Sequence, residues 1–193
     1  MAKKLESTFM NMVLVMFLFT AIAALALGAV YTATKEPIET AKAAKLQEAI
    51  AKVVPAYDQY TKKQVTPAQG NDPLTFYIAT KGDEVMGTAI ETYTDIGFSG
   101  RVSVMVGFLP SGEIYNTAVL DHKETPGLGD KMDLSKSDFS LQFKGKNPNA
   151  YILKVKKDGG NVDAITAATI SSRAFCDAIQ RAWTAFETEG GNQ

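Results

Sequence analysis

Residues 9–31 contain no charged side chain, and Glu6 and Lys35 bound the stretch. A helix rising ~1.5 Å per residue over that length crosses a hydrocarbon core of ~30 Å. Val13, Leu14, Val15, Phe17, Leu18, Phe19, Ile22, Leu25, Leu27 and Val30 together favour insertion by roughly 3–6 kcal/mol, against small penalties from Asn11 and Thr20. The rival is a cleaved signal peptide, because Lys3 and Lys4 precede the run and Ala24-Leu25-Ala26 resembles a cleavage site. The apolar run exceeds the ~7–15 residues of a signal core, which favours a retained transmembrane anchor in a lipid bilayer. Lys3 and Lys4 are expected to stay cytoplasmic and to send the chain after Tyr31 to the other side. Thr20, Ala24, Gly28 and Thr32 recur at every fourth position; this small-residue strip is either a helix-docking face or ordinary alanine-rich composition. Residues 1–34 are therefore expected to form the N-terminus and anchor, and residues 35–193 one extracytoplasmic domain.

Composition narrows the chemistry of that domain. Lys+Arg 20 against Asp+Glu 21 leaves no basic surplus for nucleic acid. Cys176 and His122 are the only cysteine and histidine. No intrachain disulfide, all-cysteine cluster or multi-histidine metal site can be built from this chain alone. No metal site and no self-contained catalytic constellation are expected, so any redox cofactor must be organic or lent by a partner.

Pro37 suits the first turn of a new helix, and Leu46, Ala49, Ile50, Val53 and Val54 form an apolar face that ends at Pro55. Residues 61–73 are polar and turn-rich, and read as a loop. Alternation then takes over: Leu74, Phe76 and Ile78, a second strand over 84–94, then Val102, Val104, Val106 and Phe108 with a hairpin return over 114–120. Residues 151–156 and 162–165 read as short strands. Phe175, Ile179, Ala182, Trp183 and Phe186 give a final helix with one buried face. Strands in series with helices at the ends predict an α+β domain with a mainly antiparallel sheet.

Two segments depart from ordinary core patterning. Asp163-Ala164-Ile165-Thr166-Ala167-Ala168-Thr169-Ile170-Ser171-Ser172-Arg173 places hydroxyls and small residues before the final helix. It is either an anion site, with Arg173 as a candidate charge, or a plain helix cap. Asp121-His122-Lys123-Glu124-Thr125-Pro126-Gly127-Leu128-Gly129-Asp130-Lys131-Met132 follows the hairpin, where loops often carry sites. Its glycines allow a backbone to approach a flat ligand closely. His122 is either a general base or a structural residue.

Together the two segments resemble the FMN-binding domain shared by the G subunit of the Rnf electron-transport complex and the C subunit of the sodium-pumping NADH:quinone reductase. Asp163 through Ser171 fits the family's flavinylation pattern Asp-Ala-(Ile/Val)-(Ser/Thr)-(Gly/Ala)-Ala-Thr-x-(Ser/Thr). Gly97-Phe98-Ser99-Gly100, Val106-Gly107, residues 122–129 and the single N-terminal span fit as well. The compact length and the wording of residues 122–131 look more like the Rnf protein. Thr166-Ala167 stands where many members carry Ser-Gly.

The resemblance implies that Thr169 is esterified to the phosphate of FMN by a separate flavin transferase, with Thr166, Ala167, Ala168, Ser171 and Ser172 around it. It also implies that Glu124, Thr125, Gly127, Leu128 and Gly129 lie near the isoalloxazine ring. The chain would then be a redox subunit of an ion-translocating ferredoxin:NAD+ oxidoreductase in a prokaryotic cytoplasmic membrane, working with the other subunits rather than alone. Three rivals stand beside it: the C subunit of the quinone reductase, a flavin-free hydrolase using Thr169 and His122, and a structural subunit whose flavin is incidental.

Overall fold

A computed structural model of the chain describes residues 8–67 and 72–189. Lys3 and Lys4, on which the expected orientation turns, lie outside the described residues. The chain divides into two compact units, Met1–Ala44 and Lys45–Gln193.

From Phe9 on, the first unit belongs to helix α1, Phe9–Val53. This is one helix long and apolar enough to cross a membrane, and its most apolar window has no buried share. Phe9, Phe17, Phe19, Ile22, Leu25 and Leu27 are all exposed, an apolar surface of the kind a membrane-crossing helix presents. Thr20 and Thr32 donate their hydroxyls to the carbonyls of Met16 and Gly28, at 2.9 and 3.0 Å, so the small-residue strip satisfies its own polar groups. Pro37 lies inside α1 and does not open a new helix as the sequence suggested. Its missing N–H forfeits one bond, and alanine-rich flanks of high helix propensity carry the helix through.

In the second unit, five strands form an antiparallel meander in the order β1-β2-β3-β4-β5. They are β1 Gln59–Val65, β2 Leu74–Lys81, β3 Glu84–Gly97, β4 Gly100–Phe108 and β5 Ile114–Asp121. β1 corrects the first part of the loop expected over 61–73, up to Val65; residues 68–71 of that stretch lie outside the described residues. Six of its seven residues are exposed, so it shows no alternation; it is an edge strand, and its lysines and glutamines suit a strand whose outer edge faces water. The strands expected at 151–156 and 162–165 reduce to a single parallel bridge, Val155 to Val162. A 3-10 turn at Lys156–Asp158 and a left-handed Gly159 (φ 82°) fold the chain back too tightly for a ladder.

Alternate side chains of the central strands feed two cores. Phe76, Ile90, Val104, Val106 and Phe108 pack beneath helix α2, Thr169–Glu189, whose Phe175, Ile179, Trp183 and Phe186 complete that layer. Phe108 lies 4.9 Å from Phe186 and 5.5 Å from Trp183 between ring centroids. On the opposite face Tyr77, Ala79, Ala89 and Met105 are covered by Ala49, Ile50, Val53 and Val54. A β-carbon on Gly107 would collide with the carbonyl of Val53, so only glycine lets that helix end lie on β4. The result is a helix–sheet–helix sandwich, the α+β domain expected.

Two buried hydroxyls fix α2 on the sheet. Thr92 donates to the Ala178 carbonyl at 3.0 Å, and Thr94 to the Asp177 carboxylate at 2.6 Å. These bonds tie α2 to the end of β3, close to the turn where the functional segments converge.

Candidate functional site

The β3–β4 turn, the loop after β5 and the start of α2 enclose a cleft of about 300 Å³ lined by Phe98, Glu124, Thr125, Leu128, Gly129, Ala167, Ala168, Thr169, Ile170 and Ser171. Of the residues singled out from the sequence, Glu124, Thr125, Leu128, Gly129, Ala167, Ala168, Thr169 and Ser171 are therefore brought together. Thr166, Gly127 and Ser172 are not part of the lining. Phe98 was noted only within a turn motif. It is 64% exposed at the cleft rim, an orientation that no periodicity signals.

The approach to α2 is built to present Thr169. Ala168 N–H donates to the Ile165 carbonyl at 3.0 Å, and Ala167 sits in the left-handed region at φ 61°. That backbone is strained for any residue with a β-carbon, which gives the Gly-or-Ala position of the motif a conformational reason. Ser172 donates to the Ala168 carbonyl at 3.0 Å and accepts the Ile165 N–H at 2.9 Å. Ser172 is thus a fully buried clamp that closes the turn, and its hydroxyl is not offered to a ligand. Thr169 is half-buried and opens α2. Among the described residues its hydroxyl has no hydrogen-bond partner. The amide N–H groups of a first helical turn lack intrahelical acceptors and favour an anion.

Glu124 forms the base of the cleft. It is 5% exposed; its Oε1 accepts the Ser99 N–H at 2.9 Å, and its Oε2 accepts the Ser171 hydroxyl in a short contact. Gly129 must pass beside that pair, since its β-carbon would lie 2.5 Å from Ser171 Oγ and 2.7 Å from Glu124 Oε2. Gly127 has open space around it but holds φ 78°, so its requirement is conformational rather than steric.

Two candidate charges are engaged elsewhere. Arg173 makes a bidentate pair with Asp158, both contacts at 2.7 Å, and the hydrogen bond to Arg173 holds the Asp158 carboxyl below its usual range. Arg173 is consequently a surface tie and not the cation of an anion site. His122 accepts the Glu124 N–H through Nδ1 at 3.1 Å and does not line the cleft. That geometry favours the structural reading of His122 and leaves Thr169 without a histidine base in the described cleft. No group of three or more metal-ligating residues occurs among the described residues.

The cleft suits a flavin on the chemistry of its walls. An uncommitted hydroxyl and helix-start amides suit an anion, glycine permits close backbone approach, and Phe98, Leu128 and Ile170 offer an apolar rim. This is the anatomy of a flavin-carrying domain, and residues 97–184 match the FMN-binding domain family. Similar proteins extend the match along the chain. The G subunit of the ion-translocating oxidoreductase complex of Erwinia tasmaniensis is 37% identical over 183 residues, covering 90% of this chain and 87% of that protein. Those of Pseudoalteromonas atlantica and Cereibacter sphaeroides are 36% and 34% identical, covering 86% and 90% of this chain and 83% and 82% of theirs. The chain belongs to the family of G subunits of ion-translocating oxidoreductase complexes.

Proposed function

We propose that this chain is the flavin-bearing electron carrier of an Rnf-type ion-translocating oxidoreductase complex, with one FMN joined through its phosphate to Thr169. The uncommitted Thr169 hydroxyl at the head of α2, opening on the cleft, is the observation that carries the attachment. Three other hydroxyls of the motif are less suited. Ser171 is bonded to Glu124, Ser172 to Ala168 and Ile165, and Thr166 lies outside the cleft. Thr125 lines the cleft but stands in a loop and does not itself open a helix.

Bound FMN supplies one- and two-electron chemistry; the protein supplies position and electrostatics. The ester holds the cofactor where no pool of free FMN replenishes it. The Glu124–Ser171–Ser99 cluster fixes the cleft base, and Phe98, Leu128 and Ile170 present an apolar surface that excludes water from one side. A separate flavin transferase reads the segment 163–171 and makes the ester from FAD, breaking its pyrophosphate bond so that FMN passes to the Thr169 hydroxyl and AMP leaves. Residues 1–34 form the anchor, with Lys3 and Lys4 cytoplasmic, and residues 35–193 work on the opposite side of the membrane beside the other subunits.

The test is flavin fluorescence on the denatured polypeptide after electrophoresis, combined with identification of what co-purifies. Covalent fluorescence, with an iron–sulfur and NAD-binding partner, is expected. A colourless chain would remove the flavin reading, and a quinone-reducing partner would move the chain to the sister complex.

A further inference from the structure

Glu124 is a carboxylate held deep in the domain by two donors from two different elements. Ser99 N–H reaches it from the β3–β4 turn, at 2.9 Å to Oε1. The Ser171 hydroxyl reaches Oε2 from the first turn of α2. Both oxygens accept, as an ionised carboxylate does, and no cationic side chain is among the described partners of Glu124. Two glycines are fitted around the group: a β-carbon on Gly97 would stand 2.9 Å from Oε1, and one on Gly129 would stand 2.7 Å from Oε2. The carboxylate thus lines the cleft with its position fixed from three sides. A plain structural tie between a turn and a helix would need only a neutral acceptor, which makes the choice of a carboxylate informative.

We infer that Glu124 is a positioning residue that supplies a fixed negative charge at the base of the cofactor cleft, moderated by Ser171, and thereby lowers the potential of the flavin carried there. The inference rests on the reading that Thr169 bears FMN. Adding electrons to a cofactor beside a fixed, poorly solvated negative charge is disfavoured. Removing the charge raises the potential. Removing only the Ser171 hydroxyl leaves the charge less compensated and lowers it.

The experiment measures midpoint potential by spectroelectrochemical titration of the full-length, flavinylated protein, together with its thermal midpoint and its covalent flavin content. Glu124→Gln keeps the shape and the acceptor for the Ser99 N–H, with the Ser171 hydroxyl turning to accept from the new amide; it is expected to shift the oxidised/reduced equilibrium about tenfold toward the reduced flavin, about 30 mV for a two-electron couple. Ser171→Ala is expected to shift the potential the opposite way. Shifts of opposite sign support the inference, because loosened packing has no reason to reverse sign between these two variants. Unchanged potentials, or shifts of one sign, in chains that still carry flavin overturn the role of Glu124 alone. If Glu124→Gln takes up no flavin, the Ser171→Ala shift decides: downward supports, upward or unchanged overturns. An unmutated chain without covalent flavin overturns the Thr169 reading, and this inference with it.

Discussion

Gly129 passes so close to Ser171 that a β-carbon on it would stand 2.5 Å from the Ser171 hydroxyl oxygen. The loop after β5 and the start of α2 therefore interlock at a backbone position, with Glu124 between them. Gly129→Ala is expected to force this pair apart at a cost of about 1–3 kcal/mol, as overpacking does, and to lower the thermal midpoint by several degrees. Gly127→Ala meets no atom within 4 Å and costs about 1–2 kcal/mol through its left-handed backbone alone. Spectra of the flavinylated variants separate the two: Gly129→Ala perturbs the visible bands and Gly127→Ala leaves them nearly unchanged. Equal perturbation by both would contradict the distinction.

Ala167 carries the only positive φ on a non-glycine residue among the described residues. Ala167→Gly relieves that strain and is expected to stabilise the domain by about 0.5–1 kcal/mol, which raises the melting midpoint by about 1–4 °C. Calorimetry on the two chains checks it, and a lower midpoint in the variant would contradict the strained turn.

Burial pushes the Cys176 thiol up to about 12. At pH 8 it is neutral and enclosed, and the thiolate is the reactive form. Alkylation by iodoacetamide is expected only in denaturant. Stoichiometric labelling of the native protein would show that α2 does not pack as described.

The end of α1 belongs to the domain's core. Ile50, Val53 and Val54 are essentially fully buried, and each contributes about 1.5–3 kcal/mol on burial. Their sum approaches the ~5–15 kcal/mol that holds an ordinary domain folded. A fragment starting at residue 35 is expected to melt cooperatively, and one starting at residue 55 to aggregate or lack a transition by circular dichroism. A well-folded shorter fragment would contradict the two-sided core.

The sequence made visible what its periodicity encodes. The apolar run of α1, the alternation in β2 and β4, the hairpin return into β5 and the buried stripe of α2 each show in the order of residues, because local patterning carries them. β1 escaped because an exposed edge strand has no apolar alternation to display. Pro37 misled because a local rule for helix starts ignores the propensity on both sides. At the site, the motif around Thr169 was legible as a resemblance. Its physical basis was not: the latch of Glu124 to Ser99 and Ser171 and the commitment of Arg173 to Asp158 are contacts between residues apart in sequence, and the clamp of Ser172 depends on a side-chain orientation that residue order does not display. The hydrogen bond that His122 accepts from the Glu124 N–H was equally invisible in the residue order.

Peptide mass spectrometry locates the flavin on the polypeptide. Trypsin cutting after Lys157 and Arg173 releases one peptide that holds Thr166, Thr169, Ser171 and Ser172 together, so fragmentation within a single peptide distinguishes all four. The expected spectrum carries the mass of FMN on Thr169 alone, and Thr169→Val, which keeps the β-branched shape, yields a folded chain with an unmodified peptide. FMN on Thr166, Ser171 or Ser172 of the unmutated protein, or retained covalent flavin in Thr169→Val, would contradict attachment at Thr169.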